Sequence, residues 1–279
     1  MQWPDDVGQA PSILAEVREG VGIVTLNRPS RLNAWTPLMG TLYFDTLDRL
    51  AHDTDVRAIL VTGNGKSFCA GADMSGLSAV AVDGGMTDRR DPRGYWHPLR
   101  IGKPIISAIR GYCLGVGLQQ ALCCDVRFAA TDVNMSTSYV RRGINGELGI
   151  TWLLPRIVGA SRALDLMLSG RHVFGDEAVQ LGLVNRLCAA DELFATAFDY
   201  CRMLVQESSP WAMRTIKQQV YFDLMTALPP AFRQAEQLLG TAMSGPDMAE
   251  FIAARKDKRQ VHFPPLSPDL ASLDPWPGE

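Results

Sequence analysis

Two short glycine-bearing turns, each closing an apolar strand-like run, constrain this chain more than any other feature. The first is Ser67-Phe68-Cys69-Ala70-Gly71-Ala72-Asp73; the second is Gly111-Tyr112-Cys113-Leu114-Gly115-Val116-Gly117. Ala70, Gly71 and Ala72 are too small to block a ligand, so backbone N–H groups there can approach one closely. Either segment alone reads as an ordinary tight turn. Brought together, they can aim two N–H donors at one oxygen, an arrangement often responsible for the largest electrostatic contribution in acyl chemistry.

The surrounding pattern supplies strands and crossovers to carry those turns. Residues 13–17 and 21–26 read as two strands joined at Glu19-Gly20. Helical periodicity follows over 36–52 through Leu38, Leu42, Leu47 and Leu50, with Pro37 suited to the first turn. Strand-like runs recur at 58–62, 105–109, 126–129 and 184–187, with helices predicted at 118–124, 160–168 and 175–181. This alternation indicates an α/β domain. From residue 191 the composition turns all-helical, over roughly 191–208, 210–226, 229–243 and 246–259. Four segments follow: a fraying N-terminus over 1–12, a core over 13–190, a helical region over 191–262, and a proline-rich tail over 263–279 expected to be extended or disordered. Residues 75–100, rich in Gly, Asp and Arg and without a period, read as a mobile segment near the site.

Composition narrows the function classes. A net charge of -3 gives no general basic field for nucleic acid. The six cysteines show neither metal nor disulfide spacing and read as reduced core thiols, which points to a reducing, cytoplasmic setting. None of the four histidines forms a paired ligand motif, so no metal is expected. The N-terminus lacks the order of a secretion signal, and no apolar run is long enough to span a bilayer.

Further landmarks join the two turns in order: Leu26-Asn27-Arg28-Pro29, Leu32-Asn33-Ala34, the run from Val56 to Gly63, Lys103-Pro104-Ile105-Ile106, Cys124-Asp125, Gly143, Trp152-Leu153-Leu154-Pro155-Arg156, the stretch from Ala178 to Val184, and Lys258-Arg259 before Phe263. With these, residues 13–263 resemble the crotonase (enoyl-CoA hydratase/isomerase) superfamily. The resemblance implies a spiral core of ββα turns and a C-terminal helical trimerisation region, with trimers that often pair into hexamers. It also implies acyl thioesters of coenzyme A as substrates, with no cofactor besides the CoA that the substrate carries. By carry-over, the N–H groups of Ala72 and Val116 would hold the thioester oxygen. The second position is usually Gly; a β-branched Val keeps the N–H but restricts the backbone and is expected to narrow the pocket. Arg28, Ala34 and the Cys69-Ala70 backbone fall where the family binds CoA, and Arg28, Lys258 and Arg259 offer charges for its phosphates. The Lys258-Arg259 pair reads equally as a solvated basic face.

The chain departs from the family's hydratases at both catalytic glutamates: Gln119 stands at the first position and Tyr139 at the second. Gln119 cannot be a carboxylate base, and a phenol is a poor base at neutral pH. Glu147, in Gly143-Ile144-Asn145-Gly146-Glu147-Leu148-Gly149, falls where some members carry a lone acid used as a proton shuttle in double-bond isomerisation. One carboxylate suffices for an allylic proton shift, whereas hydration needs water placed as well. A loop glutamate is otherwise a surface or capping group. Gln119 either bonds a substrate group or satisfies a helix face; Tyr139 either donates to an acyl group or is simply packed. Asp73 reads either as a substrate-binding carboxylate or as one bonding its own turn. His97 either reaches the site or sits at the surface, and Tyr95 and Trp96 either cover the acyl chain or pack the loop. Three functions follow: an enoyl-CoA isomerase using Glu147, a hydratase or other lyase or hydrolase of the same fold, and a non-catalytic acyl-CoA binder.

Overall fold

The computed structural model describes residues 11–73 and 91–273. Two sheets organise the core. The larger has six strands in the order β1-β2-β3-β4-β6-β9: β1 Ile13–Arg18, β2 Val21–Leu26, β3 Ala58–Gly63, β4 Ile105–Ile109, β6 Val126–Ala130 and β9 Arg186–Cys188. Only β1 and β2 pair antiparallel; the other neighbours are parallel. The smaller sheet holds β5 Tyr112–Leu114, β7 Asn134–Ser136 and β8 Val173–Phe174. After β4 and again after β6, the chain crosses directly to a short strand of the smaller sheet. A parallel bridge between Cys69 and Cys113 extends that second row to the first glycine turn. Each circuit is thus a ββα turn of a spiral, and the two glycine turns lie on successive circuits.

Strand β3 explains its own apolar run. Ile59 and Val61 belong to the core on one face, and Ala58 and Leu60 to the core on the other. A parallel strand covered on both faces has no polar side, so alternation is absent from its sequence. One face is covered by α1 (Pro37–His52) through Met39, Tyr43, Phe44 and Leu47. Thr36 caps that helix, its hydroxyl accepting from Met39 N at 3.1 Å. Across the sheet, Leu193, Ala197, Phe198 and Cys201 of α6 (Leu193–Glu207) pack on Val21, Ile23, Ile106 and Phe128.

The remaining helices are α2 (Val116–Leu122), α3 (Ile150–Val158), α4 (Ala160–Ser169), α5 (Gly175–Gln180), α7 (Pro210–Asp223), α8 (Leu228–Ser244) and α9 (Pro246–Asp257). None of the described helices is long and apolar enough to cross a membrane. Helix α8 buries none of its residues and exposes Leu228, Phe232, Leu239 and Met243. Their spacing puts them on one face.

Several expectations change. The tail is not extended or disordered over 263–273: it forms a 3-10 turn at Pro268–Leu270 and buries Leu266, Ala271 and Leu273. Its prolines mark a tightly turned strap rather than a solvated chain, because three apolar side chains find a core. The expected mobile segment is ordered over 91–100, where Arg93 bonds Asp45, Asp48 and Asp91. The rest of that segment, like residues 1–10 of the N-terminus and 274–279 of the tail, lies outside the described residues. Strands β5, β7 and β8 and helix α3 were not anticipated; the strands are two or three residues long, too short to show a period.

Candidate active site

The first turn is fixed by backbone pairing on both sides. Phe68 N donates to Arg110 O at 2.8 Å, Cys69 N to Tyr112 O at 2.9 Å, and Leu114 N to Cys69 O at 3.0 Å. Ala70 N donates to Leu32 O at 3.0 Å. Beyond it, Gly71 O accepts from Trp35 N at 2.8 Å and Asp73 N donates to Trp35 O at 2.9 Å. Ala72 N–H, between those two bonds, has no protein acceptor among the described residues.

The second turn runs alongside. Gly115 N donates to Ser136 O at 3.0 Å, and α2 begins at the next residue. Val116 N–H is therefore a first-turn amide, one of those that a helix leaves without an internal acceptor. Among the described residues nothing accepts from it either. Gly117 sets the approach of the two turns: a Cβ there would lie 2.5 Å from Cys69 O. The Val116 side chain packs in the core and does not line the cavity described below, so the expected narrowing is not seen.

Two side chains absent from any motif chemistry hold this frame. Asn33, fully buried, accepts from Arg28 N at 2.8 Å and donates to Ser67 O at 2.7 Å and Asn64 O at 3.0 Å. Arg28 Nη1 donates to Ala34 O at 2.5 Å and to Asp73 Oδ2 at 2.8 Å. With only 8% and 11% of the Arg28 and Asp73 side chains exposed, this is a buried ion pair that staples the end of β2 to the first turn. Arg28, read from the sequence as a charge for the CoA phosphates, commits Nη1 to this pair, and Ala34 acts through its carbonyl as part of the staple. Asn33 was legible only as a motif letter, because its side-chain N–H groups meet partners over 30 positions away in sequence.

An apolar cavity of about 230 Å³ opens beside α2. Trp96, Leu99, Gly149, Trp152, Leu153 and Met225 line it among the described residues, with the Gln119 amide beside them. Of these, Leu99 and Met225 were not singled out from sequence. Gln119 is buried, with Nε2 3.6 Å from Cys123 Sγ and with no hydrogen-bond partner for Oε1 among the described residues. Tyr139 is also buried, and its hydroxyl has no hydrogen-bond partner among the described residues. Burial first, and the neighbouring Glu147 carboxylate second, push the Tyr139 hydroxyl well above the ordinary phenol range. It therefore stays protonated and can donate, not serve as a base. Glu147 is half-buried in the loop between the 3-10 turn Val140–Arg142 and α3.

Other candidates sit apart. Tyr95 packs on Trp35 and Phe44 while Trp96 reaches the cavity. His97 is buried, not a surface residue, with Nε2 2.7 Å from Asp48 Oδ1. Arg259 places its guanidinium on both oxygens of Glu250, at 2.6 and 2.8 Å, and this pairing first, with the His262 N–H second, holds the Glu250 carboxyl at about 2. Lys258 ends α9 in a left-handed conformation. Neither it nor Arg259 lines the cavity.

Known proteins of this shape carry acyl-CoA chemistry in their names. A probable enoyl-CoA hydratase of Mycobacterium bovis is 32% identical over 253 residues, covering 90% of this chain and 97% of the relative. The 1,2-epoxyphenylacetyl-CoA isomerase of Escherichia coli is also 32% identical, over 260 residues, with the same coverage of both. The crystal structure of a probable enoyl-CoA hydratase/isomerase from Mycobacterium abscessus superposes with a TM-score of 0.84 at 26% identity, covering 91% of this chain and 99% of that one. The enoyl-CoA hydratase/isomerase family model matches residues 16–265. With the ββα spiral and its paired glycine turns, these matches identify the chain as a crotonase-fold member of the enoyl-CoA hydratase/isomerase family.

Proposed function

We propose that this acyl-CoA enzyme shifts a double bond along an enoyl-CoA by proton transfer. The observation that carries the reading is the pair of amides, Ala72 N–H and Val116 N–H, left without protein acceptors on adjoining turns. Both donate to the thioester oxygen. The Glu147 carboxylate removes a proton from the carbon next to the thioester of a 3-enoyl-CoA. That electron pair delocalises to the held oxygen, giving a dienolate that the two amides stabilise. Glu147, now a carboxylic acid, returns the proton to the far end of the dienolate and leaves a 2-enoyl-CoA. The apolar walls keep competing water from the dienolate.

CoA itself lies along the first turn. The N–H groups of Cys69 and Ala70 and the Cys69 carbonyl are already bonded within the fold, so the Ala70 carbonyl is what a ligand meets. Lys258 and Arg259 remain candidates for the phosphates. The exposed apolar face of α8 packs against further copies of the chain, as a trimer or paired trimers. Names of several relatives favour hydration instead. Against it, Gln119 and Tyr139 stand where the resemblance implies two glutamates.

Incubation with a 3-enoyl-CoA and a 2-enoyl-CoA tests the choice. Double-bond migration in the first, abolished by Glu147→Gln, supports the isomerase. Water addition to the second without migration in the first rejects it. Tight acyl-CoA binding with no turnover of either leaves a binding protein.

A further inference from the structure

The matched family stretch ends at residue 265, yet the residues after it are bonded to two elements that carry cavity side chains. Ser272 forms an antiparallel bridge with Ile101. Gly102 N donates to Ala271 O at 2.7 Å and Leu273 N to Arg100 O at 2.6 Å. The fit is close: a Cβ on Gly102 would lie 2.6 Å from Leu270 O. From the other side, Arg214 on α7 donates through Nε to Leu270 O at 2.9 Å and through Nη2 to Ser272 O at 3.1 Å. Lys217, one turn on, donates to Lys103 O at 3.1 Å.

Residues 266–273 thus tie two elements together: the 3-10 turn His97–Arg100, which carries Leu99 and follows Trp96, and helix α7, which leads to Met225. Those three side chains form part of the cavity wall, with Trp152 and Leu153 among the other lining residues. Loosening the strap frees that wall without touching the amides of the two glycine turns.

We propose that this C-terminal strap determines acyl-group specificity by fixing the part of the cavity wall that those three side chains form. The inference rests on the cavity being the acyl site. It assigns Arg214 as a positioning residue, acting through the strap and not through the substrate. A strap that holds the wall closed limits the bulk of the acyl group; a released strap admits larger ones.

Isothermal titration with CoA, butanoyl-CoA and dodecanoyl-CoA tests this on three proteins: the full chain, Arg214→Met in the full chain, and a chain ending at Pro265. Arg214→Met keeps every tail side chain and guards against a truncation that merely unfolds. The full chain should favour one acyl length. Both variants should shift the ratio of the two acyl-CoA dissociation constants toward dodecanoyl-CoA by about 10-fold, the scale on which apolar pockets discriminate. Binding of CoA alone should stay constant. A ratio unchanged in both variants, or equal weakening of all three ligands, overturns the strap inference and leaves the acyl site standing. No acyl-CoA binding by the full chain, or no dependence on acyl length, overturns the cavity reading and the strap inference with it.

Discussion

Removing the Arg28 guanidinium should cost this protein far more than its surface ion pairs would. Side-chain exposure decides the regime. Arg28 and Asp73 are 8% and 11% exposed, whereas the Arg259 side chain that pairs with Glu250 is 38% exposed. Exposed pairs contribute about 0–1 kcal/mol. Breaking a buried pair from one side leaves a charge without its counterion and costs about 3–5 kcal/mol. Arg28→Met removes the Arg28–Asp73 pair and takes a donor from Ala34 O, so the expected loss lies in the second range. Replacing both residues, Arg28→Met with Asp73→Leu, should recover much of it, because no buried charge remains. The same substitution unstaples the first turn next to Ala72. Loss of one donor to a developing oxyanion typically lowers kcat by about 100- to 1,000-fold, and Arg28→Met should approach the lower figure. Urea unfolding of the two single variants and the double variant, with kcat and KM on an enoyl-CoA, checks both parts. A loss below about 1 kcal/mol for Arg28→Met, or a double variant no more stable than the single ones, refutes the assignment of the pair as a buried staple.

Val116→Pro deletes the second amide while suiting the first position of a helix, where proline is tolerated; kcat/KM should fall about 100-fold or more with the melting temperature little changed. Tyr139→Phe removes a buried hydroxyl that has no hydrogen-bond partner among the described residues, so calorimetry should show equal or greater stability; a loss above about 1 kcal/mol would mean that the hydroxyl is bonded in solution. Burial pulls the Lys103 ammonium down to about 8, although it donates to the carbonyls of Leu50 and Asp53. Its unfolded value is about 10.4, so between those pH values the unfolded chain binds more protons and this residue's contribution to stability rises with pH. Below about pH 8 both states carry the charge and the contribution is flat and least favourable. The stability difference between wild type and Lys103→Met should follow that slope, and parallel pH curves would contradict it.

Period and capping made much of the spiral legible. Thr36-Pro37 announced α1, and the runs of β2, β3, β4 and β6 were apolar because helices cover both faces of the parallel sheet. The short second-row strands escaped because two or three residues carry no period. The tail misled for a physical reason: proline content signals an extended chain only when no core receives the neighbouring Leu266, Ala271 and Leu273. At the site, the two turns were visible as glycine motifs. The Arg28–Asp73 pair was missed because the sequence neighbourhood of Arg28 gives no hint of Asp73, 45 positions away. Cavity residues such as Leu99 and Met225 look like any core side chain until tertiary structure turns them toward a void.

Because the two glycine turns ride on adjacent coils of one winding, bridged at Cys69 and Cys113, the gap between the proposed donor amides is set by backbone pairing. No side chain has to be right for that gap to exist. A bulky residue such as Val116 can therefore occupy a position that holds only a peptide nitrogen to its task. Nearby acids can be exchanged for an amide or a phenol with the carbonyl clasp left intact, so the reaction is chosen by what surrounds the clasp.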